Sequence, residues 1–380
     1  MSSTTSGQSR VKVLIVDDSA FIRRLMTDIL SADPDIEVVG TASDAFKARE
    51  AIKNLNPDVL TLDVEMPGMD GIQFLSNLIR LRPMPVVMCS TLTEHGAAIT
   101  LEALEIGAVD FVQKPTAFSA AALSGYSAEV TQKVKSAAQA TVRGQVSTAR
   151  ARSVRPPVEI PSATEKFTAD VILPRALPKV VAATETIIAI GASTGGTEAI
   201  RHVLMGLNAS VPAIVIAQHI PKAFSGPFAR RMDSCCPLPV KEAEDGDLVS
   251  AGHVYIAPGD QHLLLIREAG RYRCRLSDGP PVQRHKPSVD VLFRSVAQAA
   301  GANAVGVMLT GMGRDGAECM REMRDAGAAT LAQDEATSVV WGMPGAAYET
   351  GGAQSLYPLS AIAQKIIELA ALQGRSRRAS

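Results

Sequence analysis

The sequence predicts an α/β protein with two domains, and three observations predict it. Strand-length apolar runs alternate with helix-period segments over residues 9–118, and the same rhythm resumes at Ile187. The stretch between, residues 144–184, is dominated by Ser, Thr, Ala, Pro and Arg and sustains no periodicity. Polar residues stand just past the ends of the apolar runs, the edge at which open α/β sheets bind ligands. The reading is a doubly wound, five-stranded parallel domain over 9–143, a flexible linker over 144–184, and a second α/β domain over 185–372 carrying an inserted β-hairpin.

Val11–Val16 is a β-branched run ending in Asp17-Asp18, and reads as the first strand. Phe21, Ile22, Leu25, Met26, Ile29 and Leu30 then recur at helical spacing. Residues 38–40 and 45–55 read as the second strand and helix. The third strand, 59–62, ends in Asp63 and is broken by Pro67-Gly68. Runs at 86–89 and 109–112 end in Ser90-Thr91 and Lys114-Pro115, which completes five βα units, and residues 120–143 form a last helix rich in Ala and Lys. Pro156-Pro157, Pro161, Pro174 and Pro178 mark the linker. Beyond it, IIAIGAS is a buried strand and TEAIRHVLMGL a helix, while PAIVIAQHI and AVGVMLTG are further strands. HVYIAPGDQHLLLI and RYRCRLSD read as antiparallel hairpin strands inserted into the sheet.

Composition excludes several classes. A chain of 380 residues, 46% hydrophobic and 20% charged, is ordinary for two domains that each bury a core. Its 38 basic and 39 acidic residues leave a net charge of −1, so no global field draws it to nucleic acid or a membrane surface. The longest apolar runs, such as 186–191 and 213–217, fall far short of the ~20 residues a bilayer span needs, and no membrane insertion is expected. MSSTTSGQSR at the N-terminus lacks the apolar core of a signal peptide. The five cysteines, with Cys235 and Cys236 adjacent, match neither a disulfide framework nor a metal site. A reducing cytoplasm is the expected compartment.

In the first domain Asp17, Asp18, Asp63, Ser90 and Lys114 share one placement, just past the C-terminal end of a parallel strand. Three carboxylates converging there repel one another unless a hard cation sits between them, and Mg²⁺ takes oxygen ligands while keeping waters for a phosphoryl group. An Asp beside Mg²⁺ is a nucleophile towards a phosphoryl donor. The metal and the Lys114 ammonium would stabilise the transferred charge, and Ser90 could hydrogen-bond the phosphoryl oxygen and report it. The bland alternative is that strand-end aspartates cap the following helices. The full set, with LDVEMPGMDG at 62–71, resembles the bacterial response-regulator receiver domain over residues 9–118. That resemblance implies a flavodoxin-like sheet, phosphorylation on Asp63, and a Mg²⁺ site from Asp17, Asp18 and Asp63.

In the second domain Gly191-Ala192-Ser193-Thr194-Gly195 matches G-x-S-x-G between a strand and a helix, the context a nucleophile elbow requires. Taken alone, such a turn also binds phosphate or merely caps a helix. His219 ends the next strand, and Asp315 lies in GMGRDG directly after VGVMLT. Ser, His and Asp therefore project from one sheet edge, with His219 as base to Ser193 and Asp315 orienting the imidazole. His202, His253, His262 and His95 have blander placements. The order Ser…His…Asp departs from the Ser…Asp…His of the ordinary α/β-hydrolase fold.

IGASTGG, AQHIP, YIAPGDQH, HKPSVDVLF, LTGMGRDG and QDEATSVVWGMPG, spanning 187–345, resemble the catalytic domain of the CheB family of chemotaxis protein-glutamate methylesterases. Lys286 stands where that family usually has Arg, a point charge in place of a bidentate fork. The resemblance implies a Rossmann-like α/β hydrolase domain that cleaves γ-glutamyl methyl esters on methyl-accepting chemoreceptors, releases methanol and deamidates receptor glutamines. It also implies Thr194 and Met312 as residues lining the site and its oxyanion pocket, a histidine kinase as phosphodonor, and a monomer that uses Mg²⁺ in the receiver and no cofactor for the serine chemistry. A non-enzymatic nucleotide-binding module would want G-x-G-x-x-G and a downstream acid, and a transcription factor a basic recognition helix. Neither pattern stands here. The domain order further predicts that the unphosphorylated receiver covers the Ser193 cleft, and that phosphorylation moves Ser90 and Phe111 to uncover it.

Overall fold

The computed structural model describes residues 10–66, 71–91, 93–115, 119–140, 167–176 and 185–376. Pro67-Gly68, the side chain of His95 and most of the expected linker lie outside these.

Alternation in the first half produces β1 (Val11–Val16), α1 (Ala20–Ser31), β2 (Ile36–Ala42), α2 (Ala45–Leu55), β3 (Val59–Asp63), α3 (Gly71–Leu81), β4 (Val86–Ser90), α4 (Glu94–Ile106), β5 (Asp110–Gln113) and α5 (Ala120–Gln139). The strands form one parallel sheet in the order β2-β1-β3-β4-β5. Every residue of β3 and β4 is buried, as expected where helices cover both faces. Caps come from Ser19, Asp44 and Thr93, whose side chains accept from Ile22, Lys47 and Gly96 backbone N–H groups. Asp17, Asp18 and Asp63 are thus not the helix caps of the bland reading.

The second half contains β6 (Ile187–Ala192), α6 (Gly196–Met205), β7 (Ala213–Gln218), α7 (Lys222–Cys235), β8 (Val240–Glu242), β9 (Val254–Ile256), β10 (His262–Glu268) and β11 (Arg271–Ser277). It continues with α8 (Val289–Ala300), β12 (Ala304–Met308), α9 (Ala317–Asp325), β13 (Ala329–Gln333), α10 (Met343–Glu349), β14 (Ser355–Tyr357) and α11 (Leu359–Ser376). Seven strands pair in parallel in the order β14-β13-β12-β6-β7-β9-β8. The chain leaves β6 towards β7 on one side and returns at β12 on the other, so the switch point lies between β6 and β12.

Two expectations are corrected. HVYI does not join an inserted hairpin; as β9 it pairs in parallel inside the main sheet. Only β10 and β11 form the hairpin, and it stands as a separate two-stranded sheet packed on α8. A period-2 pattern gives a strand but not its partner. Residues 167–176, inside the expected linker, are also docked rather than free. Ala169 is buried, Asp170 pairs with Arg294 at 2.8 Å, and Gln298 donates to the Pro174 carbonyl at 2.9 Å.

The two domains meet through α4 and α7, and their cores merge there. Phe111 of β5 and Phe224 of α7 are buried against each other with ring centroids 4.4 Å apart. Around them Arg231 pairs with Glu105, the Thr194 hydroxyl donates to Asp110 Oδ2, and the Ser136 hydroxyl donates to Met312 Sδ.

Candidate active site

The loop between β6 and α6 carries Ser193. Gly195 adopts φ +74°, and a Cβ there would lie 2.7 Å from Val339 Cβ, so only glycine fits this turn. The turn is tied down by Ser193 N–H donating to the Thr310 carbonyl at 3.1 Å and by Gly196 N–H donating to the Ser193 carbonyl at 2.7 Å. Gln218 at the end of β7 adds a side-chain N–H to that carbonyl at 3.0 Å. The Ser193 hydroxyl is left half-buried at the N-terminus of α6, where aligned peptide dipoles favour negative charge.

His219 follows β7 directly. Its Nδ1 lies 3.2 Å from Ser193 Oγ, and its Nε2 lies 2.7 Å from Asp315 Oδ2. The ionised carboxylate only accepts, so the proton sits on Nε2 and Nδ1 keeps a lone pair for the Ser193 hydroxyl. Asp315 is 2% exposed in the loop after β12. Besides His219 it accepts from the Ser288 hydroxyl at 2.8 Å, Val289 N–H at 2.7 Å and Asp290 N–H at 3.1 Å, all at the N-terminus of α8. Burial alone would push this carboxyl up. The hydrogen bond and charge of His219, with the Val289 N–H, outweigh it and hold the group down at about 2.

Ser193, His219 and Asp315 therefore meet from three strand ends across the switch point. Thr194 and Met312 sit beside them, their side chains turned to Asp110 and Ser136 of the first domain. Lys286 Nζ reaches the Asp278 carbonyl at 3.4 Å. His262 is buried between the Ser288 N–H, which it accepts at 3.2 Å, and the Pro280 carbonyl at 3.0 Å, so it braces the α8 terminus. Strand-end placement singles out neither His285, whose ring stacks on His219 with centroids 3.6 Å apart, nor Ser288. Both lie inside HKPSVD, which follows no apolar run, so the spacing that locates the triad gives no signal there.

At the other sheet edge one ligand oxygen from each of Asp17, Asp18 and Asp63 lies within 4.8 Å of the others. Lys114 Nζ bridges Asp17 and Asp63 at 2.8 Å each. Three carboxylates against one ammonium leave an excess of negative charge and a hard-oxygen donor set, which fits Mg²⁺. Burial pushes the Asp63 carboxyl up to about 6 although Lys114 pulls it down, with the Asp17 charge adding to the rise. The Ser90 hydroxyl donates to the Gly96 carbonyl at 3.2 Å, at the start of α4.

Comparison with known proteins follows the two halves. A family model described as CheB methylesterase matches residues 188–366, and one described as response regulator receiver domain matches 13–123. A protein-glutamate methylesterase/protein-glutamine glutaminase of Hydrogenovibrio crunogenus is 54% identical, covering 95% of this chain and 99% of its own. One of Xanthomonas campestris is 54% identical, covering 96% of this chain and 98% of its own. The solved catalytic domain of Thermotoga maritima CheB methylesterase is 38% identical at a TM-score of 0.48, covering 50% of this chain and 100% of that one.

Proposed function

The chain belongs to the CheB methylesterase family, and we propose from that premise that Ser193, His219 and Asp315 are its catalytic triad and Asp63 its phosphorylation site. It is a protein-glutamate methylesterase and protein-glutamine glutaminase of chemotactic adaptation, regulated through its receiver domain. The single observation supporting the triad is the unbroken line from Ser193 Oγ through His219 to Asp315, at 3.2 and 2.7 Å.

In this reading Ser193 Oγ attacks the γ-ester carbonyl of a methylated receptor glutamate while Nδ1 of His219 takes the hydroxyl proton. The imidazolium keeps its Nε2–H on Asp315, whose low carboxyl stays ionised. The oxyanion forms at the α6 N-terminus, between Thr194 and Met312. Collapse breaks the ester C–O bond, and His219 hands its proton to the departing methanol. Water, deprotonated by the same Nδ1, then cleaves the acyl-enzyme and restores Ser193. A glutamine side chain follows the same route with ammonia leaving.

Asp17, Asp18 and Asp63 would hold Mg²⁺, which when bound neutralises charge on an incoming phosphoryl group. Lys114, already on Asp63, is placed to pair with the same group. Methyl-accepting chemoreceptors are the substrate, a histidine kinase the phosphodonor, and the protein works as a cytoplasmic monomer. Among the described residues no helix is long and apolar enough to cross a membrane. The Asp110–Thr194 and Ser136–Met312 contacts bring the receiver against two neighbours of the triad, which supports reading this arrangement as the restrained one. Phosphorylation would draw Ser90 towards Asp63, shift α4 and Phe111, and loosen the contact with Phe224.

Methanol release from methylated receptor, with and without a small-molecule phosphodonor, tests the whole reading. Ser193→Ala should abolish nearly all release, and substantial residual activity would mean the nucleophile is another residue.

A further inference from the structure

Two hydrogen bonds hold His219 by its nitrogens, at 3.2 and 2.7 Å. An imidazole held at two points along its edge is still free to tilt about the line joining them. Tilting turns the Nδ1 lone pair away from the serine hydroxyl, and the longer of the two bonds is the one on Ser193. What blocks the tilt is a third contact. The His285 ring lies flat on the His219 ring, 3.6 Å between centroids and 11° from parallel.

The loop that delivers His285 is built for a fixed position. Val282 is fully buried, and it and His285 exchange backbone hydrogen bonds at 3.0 and 2.8 Å. Between them Gln283 and Arg284 adopt φ +49° and +70°, two successive left-handed conformations at residues with side chains. Such backbone persists only where its surroundings over-determine it, and strain of this kind concentrates at functional sites. The Gln283 N–H donates to the Phe167 carbonyl at 3.0 Å, so the docked end of the linker backs the loop. Three residues on, Ser288 hydrogen-bonds Asp315. One short stretch, 282–288, thus supplies the ring over the imidazole and part of the shell around its carboxylate partner. Burial, reinforced by the neighbouring His219, keeps the His285 imidazole well below its ordinary value. The face it presents is neutral and does not repel the imidazolium that turnover creates.

We propose that His285 is a positioning residue of the esterase, holding the face of the His219 imidazole while Ser193 and Asp315 hold its edges. It rests on the triad reading, and it requires a flat ring at position 285 rather than a proton.

Methanol release by the full-length protein, with methylated receptor as substrate, separates the cases. His285→Ala should lower kcat about 10- to 100-fold with KM within about twofold, the scale set by misplacing a reacting group by about an ångström. His285→Phe keeps a flat face without a titratable nitrogen and should retain kcat within about threefold of the parent. His285→Leu fills the space without a flat face and should behave like the alanine variant. Circular dichroism melts confirm that each variant is folded. A wild-type rate from His285→Ala overturns the proposal, as does a leucine variant equal to phenylalanine. A phenylalanine variant as slow as alanine also overturns it, because a ring nitrogen is then what matters. Failure of the triad reading looks different: Ser193→Ala would still release methanol.

Discussion

Asp63 closes β3 and Asp315 lies in the loop after β12, each buried at the C-terminal edge of a parallel sheet, yet their carboxyl groups are pushed in opposite directions. Asp63 is raised to about 6 and Asp315 lowered to about 2. The difference lies in the donors. Asp315 faces a helix N-terminus and collects two backbone N–H groups, a hydroxyl and an imidazole. Among the described residues Asp63 has one backbone N–H, from Glu65 at 3.2 Å, and a single lysine that it shares with Asp17. A carboxylate fully solvated by fixed dipoles is a permanent charge. One left short of donors beside another carboxylate is reactive and wants a cation. The first suits an orienting anion, and the second an acceptor of phosphate.

Asp315, lowered from 3.8, contributes stability above that value, and the contribution is lost as pH falls through about 2. Asp63, raised from 3.8 to about 6, costs stability as pH climbs between those values and is level above.

The largest effect that would break this contrast is at Asp315. Asp315→Asn should lower kcat by about 10⁴-fold in the methanol assay, because an amide no longer fixes the Nε2–H tautomer of His219. A loss under tenfold would mean the carboxylate charge is incidental. At Asp63 the same change should act elsewhere. Asp63→Asn should leave basal methanol release within about twofold, since it touches no part of the triad, while abolishing stimulation by a phosphodonor. Stimulation that survives moves the acceptor to another residue.

The contact joining the two regions should give a smaller change of opposite sign. Phe111→Ala removes the stack on Phe224 and should raise basal release several-fold, by weakening a cover that restrains Thr194 and Met312. An unchanged basal rate would separate the interface from inhibition. Smallest is a melting shift. Saturating Mg²⁺ should stabilise the receiver by about 1–2 kcal/mol at pH 7.5. At pH 5, where Asp63 holds its proton, the gain should shrink, and equal gains at both pH values would place the metal away from Asp63.

Much of both sites was legible in the linear chain because parallel α/β sheets put functional residues at one kind of place. Asp17, Asp63 and Lys114 ended apolar runs, and so did Ser193 and His219; the periodicity that located the strands also located these side chains. The hairpin was not legible for the converse reason. HVYI and LLLI are both short, strand-length apolar runs, and whether a strand joins a neighbour in parallel or folds back on its successor is decided by distant segments.

Two βα domains, their order and the strand ends that carry most of the site residues follow from local propensity and spacing. That His285 covers the face of His219, that Phe167 and Asp170 dock rather than drift, and that Asp110 meets Thr194 come from packing alone. Each of these joins residues dozens of positions apart. Contacts of that kind depend on how closed surfaces pack, and no local pattern encodes the partner.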